Sequence, residues 1–544
     1  MTTHPLPTLA APSESPRMLP RLHTLWPLAL FVLTLSFLVA DRWHYLTHFG
    51  FVYTEADQAT LWVQADDIAH GIFREPCFYG QAYNLPVEAW FAAPLILCGV
   101  PPGVALPLIT VMLALLPFVA LAVVAYRTGQ RWIASAILLI PLALPVEYVV
   151  VSSIPRGFIN GIALATPSLA LWVFARSRWS FFFAGLFAVL ALTANPNCSI
   201  ALLAAGTFAL LTHYRRREWY LFSALGIIAA LPAPLLVALF YRTHPNAAVY
   251  HPKARAEFFW PVLRDTFLLP TGRFNFRGFD LFFADFIPIT RQGWYMLVVL
   301  AVMPAALAVT RRYKAALAFL LAVLFTILTL GVERIHGSLS HVFYSGSRMY
   351  LALPVLFACF FVWMDRKKKS PFRFPTVAVV ARTCLILALV GFALMRNLSM
   401  LNVPSPFVKE TWPLSVETVA SLTQDARVTT EMARKYDATL VLPADSRMTC
   451  FNEAGPLLAG RAFETLYPPF ERRTFRVADE RTHLHTAVLM YRPSFLQIGR
   501  ALSAFPNSKM ICYSPQLLLV RIDAPGKPGL DIAQTLGLTY RPHF

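Results

Sequence analysis

The chain has 544 residues, of which 57% are hydrophobic and only 14% charged, against about 25% charged in an ordinary soluble domain. That composition excludes a disordered chain, a coiled coil and a conventional soluble enzyme. The net charge of +18 raises the question of nucleic acid, and its distribution along the chain decides that question. Apolar segments predict spans at 25–40, 104–126, 132–151, 159–175, 180–194, 198–212, 219–240, 293–310, 315–332, 347–364 and 375–395, about eleven in all. Basic clusters at Arg17/Arg21, Arg127/Arg131, Arg176/Arg178, Arg215–Arg217, Arg311/Arg312/Lys314 and Arg366–Lys369 fall in alternate short loops. The loops at 152–158, 195–197 and 333–346 are poor in Lys and Arg. Basic short loops stay in the cytoplasm, which puts the N-terminus inside and makes much of the charge a topology signal rather than a nucleic-acid surface. The first span reads as an uncleaved anchor, since the stretch before it is long for a signal sequence.

The segment at 85–99 is ambiguous. If it crossed the bilayer, every basic cluster from Arg127 onward would move outside. It starts at Pro86, carries Glu88 and has Pro94 mid-run, so it is expected to lie in the outer interface. The organisation that follows is a cytoplasmic tail at 1–24, a transmembrane domain at 25–395 with outer loops at 41–103 and 241–292, and an extracytoplasmic domain at 400–544. In that last part, β-rich runs at Ala438–Leu442, Thr486–Tyr491, Met510–Tyr513 and Leu517–Ile522 alternate with helical patterns at 415–435 and 494–503. The expected fold class is an α-helical polytopic membrane protein with a small C-terminal α/β domain, integral in a bacterial inner membrane or its equivalent. Cys450 and Cys512 share that domain and are candidates for a disulfide, a pairing that sequence does not establish.

Ionisable groups in a membrane region are costly and tend to face a cavity or a partner. Here they gather on the outer side: Glu55, Asp57, Asp66, Asp67 and Glu88 in the first loop, Glu147 near the end of its span, then Arg156, Asn160, Glu333, Arg334, His336, His341 and Arg348. A functional site is expected to open outward. In the first loop, Leu61, Trp62, Ala65, Ile68 and Ala69 follow helical spacing and Gly71 supplies a stop. Thr54 and Asp57 form a T-x-x-D capping pattern, and the plain reading is that Asp57 ties off the helix N-terminus. The run Phe78-Tyr-Gly-Gln-Ala-Tyr-Asn-Leu-Pro-Val-Glu-Ala-Trp90 leads into the interfacial helix.

Together these residues resemble the GT-C class of glycosyltransferases, including the protein O-mannosyltransferase and aminoarabinose transferase families. The shared elements are an acidic residue after the first span, a surface helix ending in Gly, the Gly80-x-x-Tyr83 element and a Pro-initiated amphipathic helix. Ser347-Arg-Met-Tyr-Leu-Ala-Leu-Pro354 is similar to the start of a late span in the same group. The resemblance covers 25–395 and implies a GT-C-like transmembrane domain that uses a polyprenyl-phosphate sugar on the outer side of the membrane. It aligns Asp57 with the family's first-loop acid, with Glu55 as the neighbour that shares the candidacy. Where the family often carries Lys/His-Pro-Pro, this chain has Asn84-Leu-Pro-Val. A second family acid aligns with Asn160, with Glu147 as its alternative.

The residue types suit one inverting displacement. A carboxylate takes the acceptor hydroxyl's proton as that hydroxyl attacks the anomeric carbon. The departing lipid phosphate gains charge and needs fixed cations. Asp57 and Glu55 are the candidate bases. Arg156, Arg348, Tyr83, Glu88, Arg255 and Lys253 are candidates for binding substrate or lipid phosphate. Basic residues of the 241–292 loop also suit anionic headgroups of membrane lipids. No set of metal ligands stands out, although isolated acids near a lipid phosphate leave a divalent ion open. The expected partners are the lipid-linked donor and an extracytoplasmic glycolipid, polysaccharide or protein acceptor. The alternatives are a flippase for lipid-linked intermediates, which the absence of visible repeat halves disfavours, and a surface-polysaccharide ligase or polymerase.

Overall fold

The structure is a computed structural model describing residues 19–144, 146–174, 177–247, 258–267, 294–332, 347–364, 391, 416–445, 448–514 and 517–539. The expected last span at 375–395, apart from residue 391, and most of the loop at 241–292 lie outside them. Chain order runs α1 (Leu19–Tyr45), β1 (Tyr53–Thr54), α2 (Ala56–Ala69), α3 (Val87–Leu97), α4 (Pro102–Arg127), α5 (Arg131–Ala143), α6 (Val146–Ser153), α7 (Asn160–Phe174), α8 (Arg178–Ala194), α9 (Ser199–His213), α10 (Arg217–Ala230) and α11 (Pro232–Thr243). Then follow α12 (Trp260–Phe267), α13 (Trp294–Val309), α14 (Tyr313–Thr329) and α15 (Leu353–Met364).

Among the described residues, three helical runs, Pro27–Gly50, Pro102–Arg127 and Arg217–Thr243, are long and apolar enough to cross a bilayer. The other apolar helices of this half are shorter. The segment expected as one span at 132–151 breaks into α5 and α6. Leu144 adopts an extended conformation (φ −80, ψ 149) because Pro145 disfavours the helical one in the residue before it. On α10 and α11, Leu221, Ile228, Leu235 and Leu239 are exposed, an apolar stripe suited to lipid rather than water. Helix α3 is the short helix expected at the interface. Val87, Glu88, Ala89, Ala92 and Ala93 are buried, whereas Trp90, Phe91 and Leu97 are exposed.

The C-terminal part comprises β2 (Glu417–Thr418), α16 (Val419–Lys435), β3 (Leu440–Pro443), α17 (Thr449–Leu458), β4 (Glu464–Thr465), α18 (Thr474–Asp479), β5 (Leu484–Tyr491), α19 (Phe495–Ala504), β6 (Lys509–Ser514), β7 (Leu517–Pro528) and α20 (Gly529–Thr535). Five strands form one sheet in the order β4-β3-β5-β7-β6. Strand β3 runs parallel to β4 and β5, while β7 is antiparallel to β5 and β6. Alternate residues serve opposite faces. Val441, Leu489 and Leu519 pack under α16 and α17, and Leu440, Leu442, Val488, Met490, Val520 and Ile522 pack under α19 and α20. Burial on both faces explains why these strands read as near-continuous apolar runs.

The first of those two cores does not stop at the domain. It includes Leu61, Trp62 and Ala65 of α2, Ala89 and Ala92 of α3, and Ala105 and Leu106 of α4. The surface helices and the C-terminal sheet therefore share one apolar interior. Cys450 is buried in α17 and Cys512 is exposed on the edge strand β6, and the candidate disulfide between them does not form here.

Candidate active site

The start of α2 is set by a strand pairing. Strand β1 pairs antiparallel with β2, Tyr53 opposite Thr418 and Thr54 opposite Glu417. This keeps the backbone extended through Glu55 (φ −140, ψ 172), and the helix begins at Ala56. Glu55 is the N-cap: its carboxylate accepts the backbone N–H of Asp57 at 3.0 Å and of Gln58 at 3.1 Å. The T-x-x-D expectation is corrected accordingly. Thr54 is occupied in the strand, the cap moves one residue along, and the Asp57 carboxylate is left for other partners.

Those partners are two arginines. Asp57 is ion-paired with Arg156 and with Arg472, and the Nε of Arg156 lies 3.3 Å from Glu55. Glu55 is fully buried, and Asp57 and Arg156 are each less than a tenth exposed. Two carboxylates and two guanidiniums thus form a nearly enclosed group whose formal charges cancel. Burial pulls the Arg156 guanidinium below its ordinary value, and the Glu55 carboxylate opposes that pull.

Arg156 sits on a turn held from several sides. Asn84 donates to the Arg156 carbonyl at 3.1 Å, Asn195 donates to the Gly157 carbonyl at 3.2 Å, and the Gly157 N–H donates to Glu88 at 2.7 Å. Gly157 has φ +75, and a Cβ there would collide with the Asn84 side chain, so only glycine serves. Asn160 donates to the Leu85 carbonyl at 2.7 Å and ties the same turn to the start of α3. Glu88 also accepts from Thr110 at 3.2 Å. Burial outweighs these hydrogen bonds and pushes its carboxyl up to about 8. Glu75, elsewhere in the first loop, is pushed up to about 8 by burial against N–H and O–H donation from Gly80 and Tyr241.

Arg472 comes from the C-terminal domain, and its neighbours aim it. Arg473 is buried against Glu471 at 2.8 Å and Glu453 at 3.0 Å, and Asn452 donates to Glu471 at 2.9 Å. With 471 and 473 turned into the domain, the side chain between them faces the opposite way, toward α2. The backbone of Arg472 packs on Gly80 (φ +75) so closely that a Cβ there would meet its carbonyl. The far end of α2 is clamped by the same domain. Arg461 pairs with Asp66 at 2.5 Å and Asp67 at 2.9 Å, and Asp67 also receives the Tyr79 hydroxyl at 2.9 Å. Arg74 stacks over Phe475 at 4.1 Å.

Of the sequence candidates, Asp57, Glu55 and Arg156 come together in one cluster. Glu88 does not open outward; it is buried beneath the Arg156 turn with both carboxylate oxygens engaged. Tyr83 is half-buried in the loop before α3. The side chains of Arg348 and Glu147, and all of Lys253, Arg255, His336 and His341, lie outside the described residues. Among the described residues, no three His, Cys, Asp or Glu side chains group closely enough to hold a metal ion. Sequence reasoning missed Arg472 altogether, since nothing in its local pattern distinguishes it from any surface arginine.

No protein-family model matches the chain, and no curated protein matches its sequence. Solved structures do match. The crystal structure of ArnT from Cupriavidus metallidurans bound to undecaprenyl phosphate aligns with a TM-score of 0.58 at 13% identity, covering 90% of this chain and 97% of that one. The apo state of the same ArnT, an aminoarabinose transferase and GT-C enzyme, aligns at 0.50 and 13% identity, covering 92% of this chain and 98% of that one. The chain has the GT-C fold. The alignment extends over nearly the full length of both proteins, so the C-terminal sheet domain is included in the GT-C likeness along with the membrane helices. At 13% identity the likeness lies in chain path, and the chemistry must be argued from this chain's own side chains.

Proposed function

We propose that the protein is a membrane glycosyltransferase that moves a sugar from a polyprenyl-phosphate donor to an acceptor on the outer side of the membrane. The observation that carries this reading is Asp57, held between Arg156 and Arg472 at the start of α2, in a fold shared with an enzyme crystallised with undecaprenyl phosphate. Glu55 is committed to capping, which leaves Asp57 as the base. A carboxylate paired with two guanidiniums is a poor base, because opposite charges favour its ionised form. A donor phosphate brought to the arginines competes for the same N–H forks. As they turn toward phosphate, Asp57 loses its compensation, gains basicity and can accept the acceptor hydroxyl's proton. The arginines then lie where negative charge grows on the departing lipid phosphate.

In this reading Glu88, Asn84, Asn160 and Asn195 are positioning residues that hold the Arg156 turn. About eleven spans, a cytoplasmic N-terminus and an extracytoplasmic C-terminal domain in a bacterial inner membrane complete the proposal. The hydropathy pattern and the alternation of basic loops support them. The test is transfer by the purified protein from polyprenyl-phosphate sugars to extracted envelope glycolipids and polysaccharides. Asp57→Asn is expected to abolish transfer while the protein stays folded. Full activity in that variant removes Asp57 as the base, and vesicle transport of the donor without any covalent product favours a flippase instead.

A further inference from the structure

A second polar site lies in the C-terminal domain, away from Asp57. A cavity of about 460 Å³ opens where the parallel strands β3, β4 and β5 begin, beside α18. Its wall is a connected chain of polar groups. Thr439 meets His485 Nδ1 at 3.1 Å, His485 Nε2 meets Glu480 at 2.7 Å, Glu480 meets Arg476 at 3.0 Å, and Arg476 reaches toward Glu464 at 3.6 Å. His485 and Glu480 are buried, and Glu480 is further held because its carbonyl accepts the Leu530 N–H at 3.0 Å. Asp479, Thr482 and His483 form an exposed rim.

The lining selects a class of ligand. The volume lies within the small-molecule range of about 300–1,000 Å³. Among the described residues no aliphatic side chain lines the cavity, which disfavours a lipid tail. Three carboxylates face one guanidinium, which disfavours phosphate and other anions. Carboxylates that accept, with guanidinium and hydroxyl groups that donate, suit a ligand rich in hydroxyls, and the acidic balance also admits an ammonium group. Helix α18 begins just past Arg472 and carries Arg476 and Asp479, so the cavity and the Asp57 cluster are built on one continuous segment.

We propose that this cavity binds a neutral or amino sugar unit of the acceptor. Its sugar chemistry follows from the cavity itself, while its role as an acceptor site rests on the transferase reading. The experiment uses the full-length protein in detergent. Saturation-transfer NMR is run with methyl glycosides of glucose, mannose and glucosamine, and with glucose 1-phosphate as the anionic control. At least one glycoside is expected to bind, more tightly than glucose 1-phosphate. The rim double variant Asp479→Asn/His483→Ala is expected to weaken that binding at least tenfold. No binding by any of the glycosides, tighter binding of glucose 1-phosphate, or unchanged affinity in the rim variant overturns the proposal. In the transfer assay the rim variant is expected to raise the acceptor KM about tenfold with kcat and donor hydrolysis unchanged; an unchanged acceptor KM overturns the acceptor role. Absence of donor turnover in the unaltered protein refutes the transferase reading instead, and leaves the glycoside measurement to decide the cavity.

Discussion

Replacing Arg472 with alanine removes one of the two guanidiniums on Asp57 without touching the membrane helices. The cluster of Glu55, Asp57, Arg156 and Arg472 then passes from balanced formal charge to an excess of one negative charge, in a place where Glu55 and Asp57 are almost wholly buried. With an effective dielectric of about 20, one such pair at about 4 Å is worth about 4 kcal/mol. That is a ground-state pair; for the reaction itself, removing one fixed donor from a developing oxyanion costs about 10²–10³ in rate, or roughly 2.7–4 kcal/mol. Arg472→Ala is therefore expected to lower kcat/KM for sugar transfer about 10²–10³-fold, and Arg472→Lys to restore part of it as a point charge without the fork. The assay is initial-rate transfer from a polyprenyl-phosphate sugar in detergent, with folding checked by thermal unfolding of each variant. A folded Arg472→Ala protein with kcat/KM within threefold of the unaltered one would falsify the idea that the C-terminal domain supplies part of the reaction centre.

Glu55 and Asp57 are expected to separate by readout. Glu55→Gln keeps a capping oxygen but gives up the Arg156 pair, so thermal unfolding should move to lower temperature while transfer persists; a complete loss of transfer with unchanged stability would reverse the two assignments. Arg473→Leu leaves Glu453 and Glu471 buried without their cation, at a cost of about 3–5 kcal/mol. It is expected to melt the C-terminal domain early, and an unchanged denaturation midpoint would contradict this. The pH dependence follows from Glu88. Its folded carboxyl is raised to about 8 from the ordinary 4.5, so the folded state holds the proton more tightly and stability falls as pH climbs from about 5 through 8. Glu88→Gln should flatten that fall in a melting-temperature series, leaving the parts due to Glu75, Glu417 and Glu453, which burial shifts the same way; a slope equal to that of the unaltered protein would refute the assignment.

Much of the architecture was legible because it depends on local chemistry. Apolar runs with few charges marked the helices of the first part of the chain, and near-continuous apolar runs marked β5 and β7 of the C-terminal domain. The short elements were not legible. Strand β4 has only two residues, and α18 and α20 have six and seven, too few for any periodicity to show. Helix α17 was missed as well: it is ten residues long and holds Gly455-Pro456 in its interior, a dipeptide that reads as a turn in sequence.

The site divides along the same line. Sequence by itself determined that an acid pair opens the loop after the first apolar helix, that Arg156 stands at a later turn between apolar segments, and that the chain belongs in a membrane. Only the tertiary structure decided which acid is which. The pairing of Tyr53–Thr54 with Glu417–Thr418 keeps Glu55 extended, and that extension makes Glu55 the cap and releases Asp57. It also brought Arg472 to Asp57 from the far end of the chain. An N-cap depends on one residue's backbone angles, which the β1–β2 contact sets, and an ion pair on the meeting of two distant segments, which the packing of Arg472 on Gly80 and the Arg461 pairs with Asp66 and Asp67 set.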